Sequence, residues 1–465
     1  MNHPTGEEAY DCLILGTGVK ESILAGLLST SGLKILQVDA SSTYGSSSMT
    51  LRFEEFTELM QKKYPKNTSF HSQMKLENFS IDLTPKIFLA DEGLVKAIGE
   101  HNLSHCIDFS VIEAQYMVDE KRHTLLIPAT KTAALTSNLC GPFQLIKLNR
   151  FMNMIKSYYV ASPSDKKRIQ SQWTTVDEMY HHYGISLYIQ KILGHGVALH
   201  SSDAYLNEAP HDFIMRLTTY FRSVARISSN KTGSTYGNSP FLYPRYGISE
   251  ISQGFARLSA VKGGTTRMAT EIVSMEATPE GWVVDLKSED VQDRVLAGRI
   301  VANNDYHASL SPDAPTSAMY VIRGVVILRG VAKPASRQAM VLDIPTCDHD
   351  LFLLVVGSDE SVCPEGYAIA YITGVSKSDQ VTSEETWEYV TNNTEYHAMV
   401  TLPAMDLLYS WGYSVLHKMV WVETATSLPE NQDIGVIPLR PMDNTVDFRS
   451  VHEEVMQVFN RIKNE

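Results

Sequence analysis

A glycine-rich segment close to the start of the chain has residue types that could hold a dinucleotide. Gly16 and Gly18 follow an apolar run and precede a helix-like pattern, as in the loop that brings a pyrophosphate to a helix N-terminus. Asp39 ends the next apolar run, where the same fingerprint has the acid that binds the ribose. Glu21 takes the place of the third glycine and would face a diphosphate, which at ~4 Å costs on the order of 1–4 kcal/mol for effective dielectrics of 80 to 20. We therefore expect the fold of a dinucleotide-binding domain without bound FAD, and keep a flavoenzyme as one alternative.

Other patterns that could support catalysis or metal binding are weak. The sequence has no GxSxG, HExxH, P-loop or kinase motif. The histidines between His181 and His211 lack a metal-ligand spacing on one helical face, so we interpret them as surface and helix-end residues. Cys347 and His349 could form a thiol–imidazole pair, but a chance pair in a loop explains them better. We therefore predict a protein that is not an enzyme and holds no metal.

Composition and charge indicate further which class of protein this is. The chain has 465 residues, of which 43% are hydrophobic and 20% charged, as in folded proteins. Its 40 basic and 53 acidic residues give a formal net charge of −13, which disfavours nucleic acid as a partner. The five cysteines are scattered without a CxxC pair, the polar start lacks a signal-peptide pattern, and no apolar run reaches the ~20 residues of a membrane span. We expect a cytoplasmic protein.

The order of elements predicts an α/β fold interrupted by helices. Residues 10–40 have the pattern of a strand, a helix and a second strand. From 140 to 227 the pattern becomes helical. There, apolar residues recur at the three- and four-residue spacing of an amphipathic helix: Leu145, Leu148, Met152, Ile155 and Tyr159. Residues 271–302 have the alternation of a β-meander.

Several stretches carry a family pattern: YDCLILGTGVKESILAGLL with LQVDASSTYG, FSIDLTPKIFLADEGLVK, GHGVALHSSDAYL and SPFLYPRYGISEISQGFARLSAVKGGT. They resemble the Rab GDP dissociation inhibitors, whose family includes the Rab escort proteins, and the last stretch is the most specific. The resemblance implies an α/β, FAD-oxidoreductase-like fold, with a Rossmann-type βαβ unit, mixed and antiparallel sheets and an inserted α-helical domain. Residues 1–130 and 228–465 would form a discontinuous α/β Rab-binding domain, and residues 131–227 a helical prenyl-binding domain.

The resemblance also implies a function. Proteins of this family bind prenylated Rab GTPases in the GDP state, slow GDP release, extract the Rab from membranes and recycle it through the cytosol. For this chain it implies geranylgeranyl lipid as a ligand, transient membrane contact and a monomer. One alternative is a Rab escort protein that presents Rab to geranylgeranyl transferase, although 465 residues leave little room for the long insertions of escort proteins.

The resemblance implies a Rab-binding platform at Tyr44, Glu250, Gln253, Arg257, Thr265 and Arg267. Arginine can form bidentate charge-assisted bonds, and tyrosine is a rigid amphipathic anchor. Glu250 and Arg257 have a plainer alternative, an internal salt bridge that fixes their loop. Arg267 departs from the family, which has a methionine there, so a charged contact would replace an apolar one. The stretch 228–238, after Arg226, is longer than in the family and leaves the family role of Arg226 open.

Two further sites are implied by the same match. Ile98 and Leu103 correspond to a surface that holds the C-terminal tail of Rab. The candidate lining residues of the prenyl pocket are Met152, Ile155, Ile189, Leu193, Val197, Leu217 and Phe221. At helical spacing, the same residues fit a plain interhelix core. The match thins beyond about residue 310, and no functional residue is carried over there.

Overall fold

A computed structural model describes residues 8–65, 76–128, 141–229, 239–289, 291–303, 306, 317–330, 332–342, 347, 349–375, 403–427 and 435–464. The α-helices, numbered in chain order, are α1 Val19–Thr30, α2 Phe53–Lys63, α3 Gly93–Glu100, α4 Pro142–Val160, α5 Pro163–Gln170, α6 Val176–Tyr183, α7 Leu187–Lys191, α8 Pro210–Ser229, α9 Ser249–Val261, α10 403–410 and α11 Arg449–Asn464. The strands are β1 Glu8–Leu15, β2 Ile35–Val38, β3 Thr50–Arg52, β4 Ser80–Asp82, β5 Phe88–Leu89, β6 Phe109–Val111, β7 Ala114–Val118, β8 Thr124–Leu126, β9 Phe241–Pro244, β10 Thr265–Arg267, β11 Thr270–Thr278, β12 Gly281–Ser288, β13 Val291–Asn303, β14 Ser317–Arg329, β15 Arg337–Val341, β16 Leu351–Gly357, β17 Tyr367–Val375, β18 Ser414–Ser427 and β19 Val436–Leu439.

The first large sheet is built around β1. Its strand order is β10-β2-β1-β13-β12-β11, and β19 pairs with the end of β13. The strands β10, β2, β1, β13 and β19 pair in parallel, whereas β11, β12 and β13 form an antiparallel meander. Helix α1 is buried from Val19 to Ser29 because α9 and α11 cover the sides that the sheet leaves open. The predicted βαβ unit and the predicted meander are both confirmed.

The second large sheet has the order β18-β14-β17-β16-β15-β7-β8 and is antiparallel except between β15 and β7. One face packs against α10 through Ala404 and Leu408, and the other joins the main core of the molecule. In both large sheets, strands that precede the helices α4–α8 pair with strands that follow them. The α/β unit is therefore interrupted by a helical segment.

The helical segment runs from Pro142 to Ser229, and α4 packs against both α6 and α8. The buried face of α4 follows Phe151, Ile155 and Tyr158, which lie four and three residues apart. Tyr159, predicted to lie on this face, is 37% exposed. That prediction was wrong by one position, because the buried tyrosine on this face is Tyr158. Within the residues that the structure describes, no helix has both the length and the apolarity to cross a bilayer.

Candidate functional site

The glycine loop, residues 16–21, is filled by the side chain of Glu21. Gly16 has φ +105°, a conformation that favours glycine. A Cβ atom added to Gly18 would lie 2.5 Å from Glu21 Oε2, and one added to Gly16 would lie 3.5 Å from Glu21 Oε1. The carboxylate thus lies against both glycines, and the side chain of Asn303 hydrogen-bonds to it. Burial raises the pKa of Glu21 to about 7.

The carboxylate of Asp39 binds the glycine loop and the residues that follow β2. Its Oδ2 accepts hydrogen bonds from Thr17 N (2.8 Å), Thr17 Oγ1 (2.6 Å) and Ser46 Oγ (2.7 Å). Its Oδ1 accepts one from Ser41 N (2.8 Å). A ribose hydroxyl would compete with these partners for Asp39, and a diphosphate would meet the Glu21 carboxylate between the glycines. The residues present at this loop therefore do not fit FAD.

Three platform residues share the exposed face of α9. Glu250, Gln253 and Arg257 lie three and four residues apart, and the opposite face buries Ile251 and Phe255. Gln253 and Arg257 are exposed, while Glu250 is half-buried, which raises the pKa of its carboxyl. Neither Glu250 nor Arg257 forms an ion pair with any residue in the described ranges. The alternative of an internal salt bridge between them is therefore not what the structure contains.

The loop that carries Tyr44 is tied to α9 at one end and to the strand region after β10 at the other. Thr50 N donates to Ser249 Oγ (2.7 Å), and Ser249 N donates back to Thr50 Oγ1 (2.9 Å). At the other end, Ala269 N donates to Ser41 O (2.8 Å). The half-buried Tyr44 lies between these anchors. The structure thus brings the loop, α9 and β10 into one surface.

Thr265 and Arg267 lie on β10, at the edge of the first sheet, and both are half-buried. The guanidinium of Arg267 lies 3.0 Å from Asp293 and 3.6 Å from Glu8. These acids neutralise the charge of Arg267, at the position where the resemblance implies a methionine. A partner that contacts Arg267 would therefore meet an ion-pair cluster.

Asp82 is a buried residue that the sequence analysis missed. Its carboxylate accepts hydrogen bonds from Ile248 N (3.0 Å), Thr50 Oγ1 (2.5 Å) and the hydroxyl of Tyr243. Burial raises the pKa of Asp82 to about 6, and these hydrogen bonds work in the opposite direction. One carboxylate thus fixes both the start of α9 and the end of the Tyr44 loop. The available signal was an acid inside the apolar pattern FSIDL.

The predicted tail-binding residues do not lie on the surface. The side chains of Ile98 and Leu103 are each 3% exposed and belong to the main core. Both face inward from α3 and from the turn after it, so they act as scaffold. The structure therefore does not support a surface contact of these side chains with a peptide tail.

The seven candidate pocket residues all belong to the main apolar core, where α8 packs against α4 and against the turn Ile192–Val197; we call these seven residues the candidate lipid cluster. They lie on α4, on α7 with the π-helical turn Ile192–Val197 that continues it, and on α8. Five are buried, whereas Met152 and Phe221 are half-buried: the buried ones are Ile155, Ile189, Leu193, Val197 and Leu217. The cluster is packed as an interhelix core, and Met152 and Phe221 lie at the edge of this core.

His195 corrects the interpretation of the histidines as surface residues. It is 3% exposed, with Nδ1 2.6 Å from Asp350 Oδ2 and Nε2 2.9 Å from Asp203 Oδ1. Burial alone would lower the pKa of His195, but the two carboxylates outweigh it and raise the pKa to about 9. Since Asp350 immediately precedes β16, this ion cluster joins the helical segment to the second sheet.

Arg226 has structural contacts in the described residues. Arg226 Nη1 donates to Ala90 O (2.9 Å) and lies 3.9 Å from Asp91, which fixes the end of α8 to the α/β unit. Of the longer stretch 228–238 that follows it, residues 230–238 lie outside the described residues. Among the residues that are described, no group of three His, Cys, Asp or Glu side chains could hold a metal ion.

Comparison with known proteins gives consistent matches. A family model described as GDP dissociation inhibitor matches residues 6–464. The chain is 29% identical over 392 residues to a Rab GDP-dissociation inhibitor of Saccharomyces cerevisiae, covering 82% of each protein. It is 27% identical over 385 residues to guanosine nucleotide diphosphate dissociation inhibitor 2 of Arabidopsis thaliana, covering 81% of this chain and 82% of that protein.

Solved structures with the same fold fall into two groups. The Rab GDI of Plasmodium falciparum superposes with a TM-score of 0.76 at 22% identity, over 99% of both chains. An oxidoreductase of Methanosarcina mazei superposes with a TM-score of 0.57 at 11% identity, over 97% of this chain and 99% of that one. The predicted FAD-oxidoreductase-like fold with its helical insert is confirmed.

Proposed function

The chain belongs to the GDP dissociation inhibitor family, and from this premise we propose that it binds prenylated Rab GTPases in their GDP state. It slows GDP release, extracts the Rab from membranes and carries it through the cytosol. The observation that carries the proposal is the family match over residues 6–464. The exposed face of α9 beside the Tyr44 loop is the surface that supports it.

The chemistry of this surface suits a GTPase in its GDP state. Arg257 is exposed and has no ion-pair partner among the described residues, so its guanidinium is available for bidentate bonds to a carboxylate. Tyr44 adds a rigid anchor with an apolar body and a polar tip. GTPase switch segments lose their order without the γ-phosphate, so a surface that binds the relaxed segments favours the GDP state by its differential affinity.

The lipid would enter the candidate lipid cluster where α8 packs against α4 and against the turn that continues α7. A prenyl chain gains roughly 0.8 kcal/mol per buried methylene in a bilayer, so extraction needs an apolar site of similar depth. The half-buried Met152 lies at the edge of the cluster, and the flexible methionine side chain adapts to a site that opens. The seven candidate residues are therefore proposed to line the lipid site.

The protein is proposed to act without a flavin and without catalysis. Glu21 between the glycines and the four hydrogen bonds to Asp39 support this, because they use the positions that a dinucleotide would need. We further propose a cytoplasmic monomer that contacts membranes transiently. Flavin absorbance in the visible spectrum of the purified protein would support the flavoenzyme alternative instead.

The test is the release of fluorescent GDP from prenylated Rab with increasing protein. The wild type should slow release, and Arg257→Ala should need about 30-fold more protein for half of the effect, since truncating a charged interface contact costs about 2 kcal/mol. Lys287→Ala, which removes an exposed base on β12, is the matched control and should behave as the wild type. Unchanged GDP release from several Rabs would overturn the proposal. Stable binding to geranylgeranyl transferase would favour the escort alternative instead.

A further inference from the structure

The outward face of α4 is a continuous stripe of exposed residues. They recur three and four positions apart, which places them on one side of the helix, and we call them the α4 stripe: Phe143, Ile146, Arg150, Asn153, Ser157 and Val160. Its apolar members are far more exposed than apolar residues usually are, at 82% for Phe143, 60% for Ile146 and 80% for Val160. An apolar stripe of this kind on a folded helix marks an interaction surface.

Basic residues dominate the charge around the stripe. Helix α4 contains Lys147, Arg150 and Lys156 and no acidic residue. None of these three bases forms an ion pair with another described residue. Helix α5 adds three more bases against the single acid Asp165. In a chain with a formal net charge of −13, this is a local reversal of charge.

We propose that the α4 stripe docks on the surface of an anionic lipid bilayer. A helix that presents aromatic and aliphatic side chains among lysine and arginine lies in the interface, with its apolar residues at the headgroup boundary. Basic residues near anionic lipids add electrostatic attraction that falls off within a Debye length. Because the rest of the chain is acidic, an anionic surface would repel the other faces and orient this one toward the membrane.

The inference rests on the proposed function and identifies the side of the protein that would face the membrane. The face of α4 opposite the stripe carries Met152 and Ile155 of the candidate lipid cluster. An α-helix with its side chains is about 10 Å across, so docking the stripe would hold the cluster roughly one helix diameter from the headgroups. A prenyl chain would then have a short path between bilayer and protein.

A second copy of the chain fits the stripe less well. An isologous dimer would place the stripe against itself and bring Lys147, Arg150 and Lys156 of one copy against the same bases of the other. Such like-charge contacts oppose association. An anionic lipid surface satisfies both the bases and the exposed apolar side chains.

The experiment is co-sedimentation of the full chain, without Rab, with vesicles of phosphatidylcholine alone and with vesicles containing 30% phosphatidylserine. The wild type should bind the second kind more tightly, and added salt should weaken this binding. Each base near an anionic surface is worth about 1 kcal/mol, or about fivefold in partition, so Arg150→Gln with Lys156→Gln should lose about 30-fold. The matched control, Lys287→Gln with Lys418→Gln, removes two exposed bases from β12 and β18 and should bind as the wild type.

Failure of this inference is distinguishable from failure of the proposed function. The double α4 variant should still slow GDP release from Rab in detergent solution, whereas Arg257→Ala should bind vesicles normally. Equal binding to both vesicle types, no binding to either, or unchanged binding of the double variant would overturn the inference. If the double variant loses both vesicle binding and the effect on GDP release, Phe143→Ser is the deciding variant, because it leaves every charge in place. This variant should reduce vesicle binding, and unchanged binding would overturn the inference. A dimer in sedimentation that dissociates in the double variant would assign the stripe to a second copy instead.

Discussion

Replacing Glu21 by glutamine tests whether the glycine loop has been rebuilt around a buried carboxyl group. The pKa of this carboxyl rises from its ordinary 4.5 to about 7 because the side chain is buried. The folded protein therefore keeps a proton that the unfolded chain releases between these pH values. The free energy of unfolding thus falls as the pH rises through this window. At about 1.4 kcal/mol per pH unit, ionised Glu21 lowers the stability at pH 8 by about 3 kcal/mol.

The assay is urea denaturation of the wild type and Glu21→Gln at pH 4.5 and at pH 8, followed by circular dichroism. Glutamine does not ionise, so the variant should gain about 3 kcal/mol relative to the wild type between the two pH values. Glu54→Gln is the matched control, because Glu54 is an exposed acid in the first turn of α2. A difference between Glu21→Gln and the wild type that is the same at both pH values would refute a buried carboxyl between the glycines.

Three further predictions concern the framework and the platform. Asp82→Asn should cost about 3 kcal/mol in urea denaturation and also weaken the effect on GDP release, because the amide presents hydrogens where the buried carboxylate accepts them; unchanged stability would remove this residue from the framework. The stabilisation from His195, whose pKa of about 9 exceeds the ordinary 6.5, is full below pH 6.5 and is lost as the pH rises through 9. His195→Gln should therefore destabilise the protein by about 2–3 kcal/mol at pH 6 and much less at pH 10, and an equal loss at both pH values would contradict the protonated cluster. Tyr44→Ala should weaken the slowing of GDP release, though less than Arg257→Ala, and an unchanged titration would exclude Tyr44 from the contact.

The parts of the fold that could be predicted are those with strong local patterns. In the run from Tyr10 to Leu15 every residue except the exposed Asp11 is buried, and the glycines after it mark the turn into α1. The β-meander has regular alternation and clear turns. The face of α4 was harder, because Tyr158 and Tyr159 are adjacent and identical in type, and only packing against α6 and α8 decides which one turns inward.

The candidate site, too, could be predicted only in part from the sequence. The charge of Glu21 was visible as an obstacle to a dinucleotide, but its position between the glycines required the tertiary structure. An acid inside the apolar pattern FSIDL marked Asp82, but the long-range partners of Asp82 and His195 could not be found from local patterns, since Ile248 and Asp350 are 166 and 155 residues away in sequence. Buried acid and imidazole groups of this kind depend on long-range contacts that no periodicity reports.

The central claim is tested most directly by the release of geranylgeranylated Rab from membranes. Rab on isolated membranes is loaded with GDP or with a GTP analogue, the protein is added, and the Rab in the supernatant is measured after sedimentation. A carrier that distinguishes the nucleotide state through the switch segments should release the GDP form and leave the GTP form on the membrane. Release of both forms alike, or of neither across several Rabs, would contradict the account.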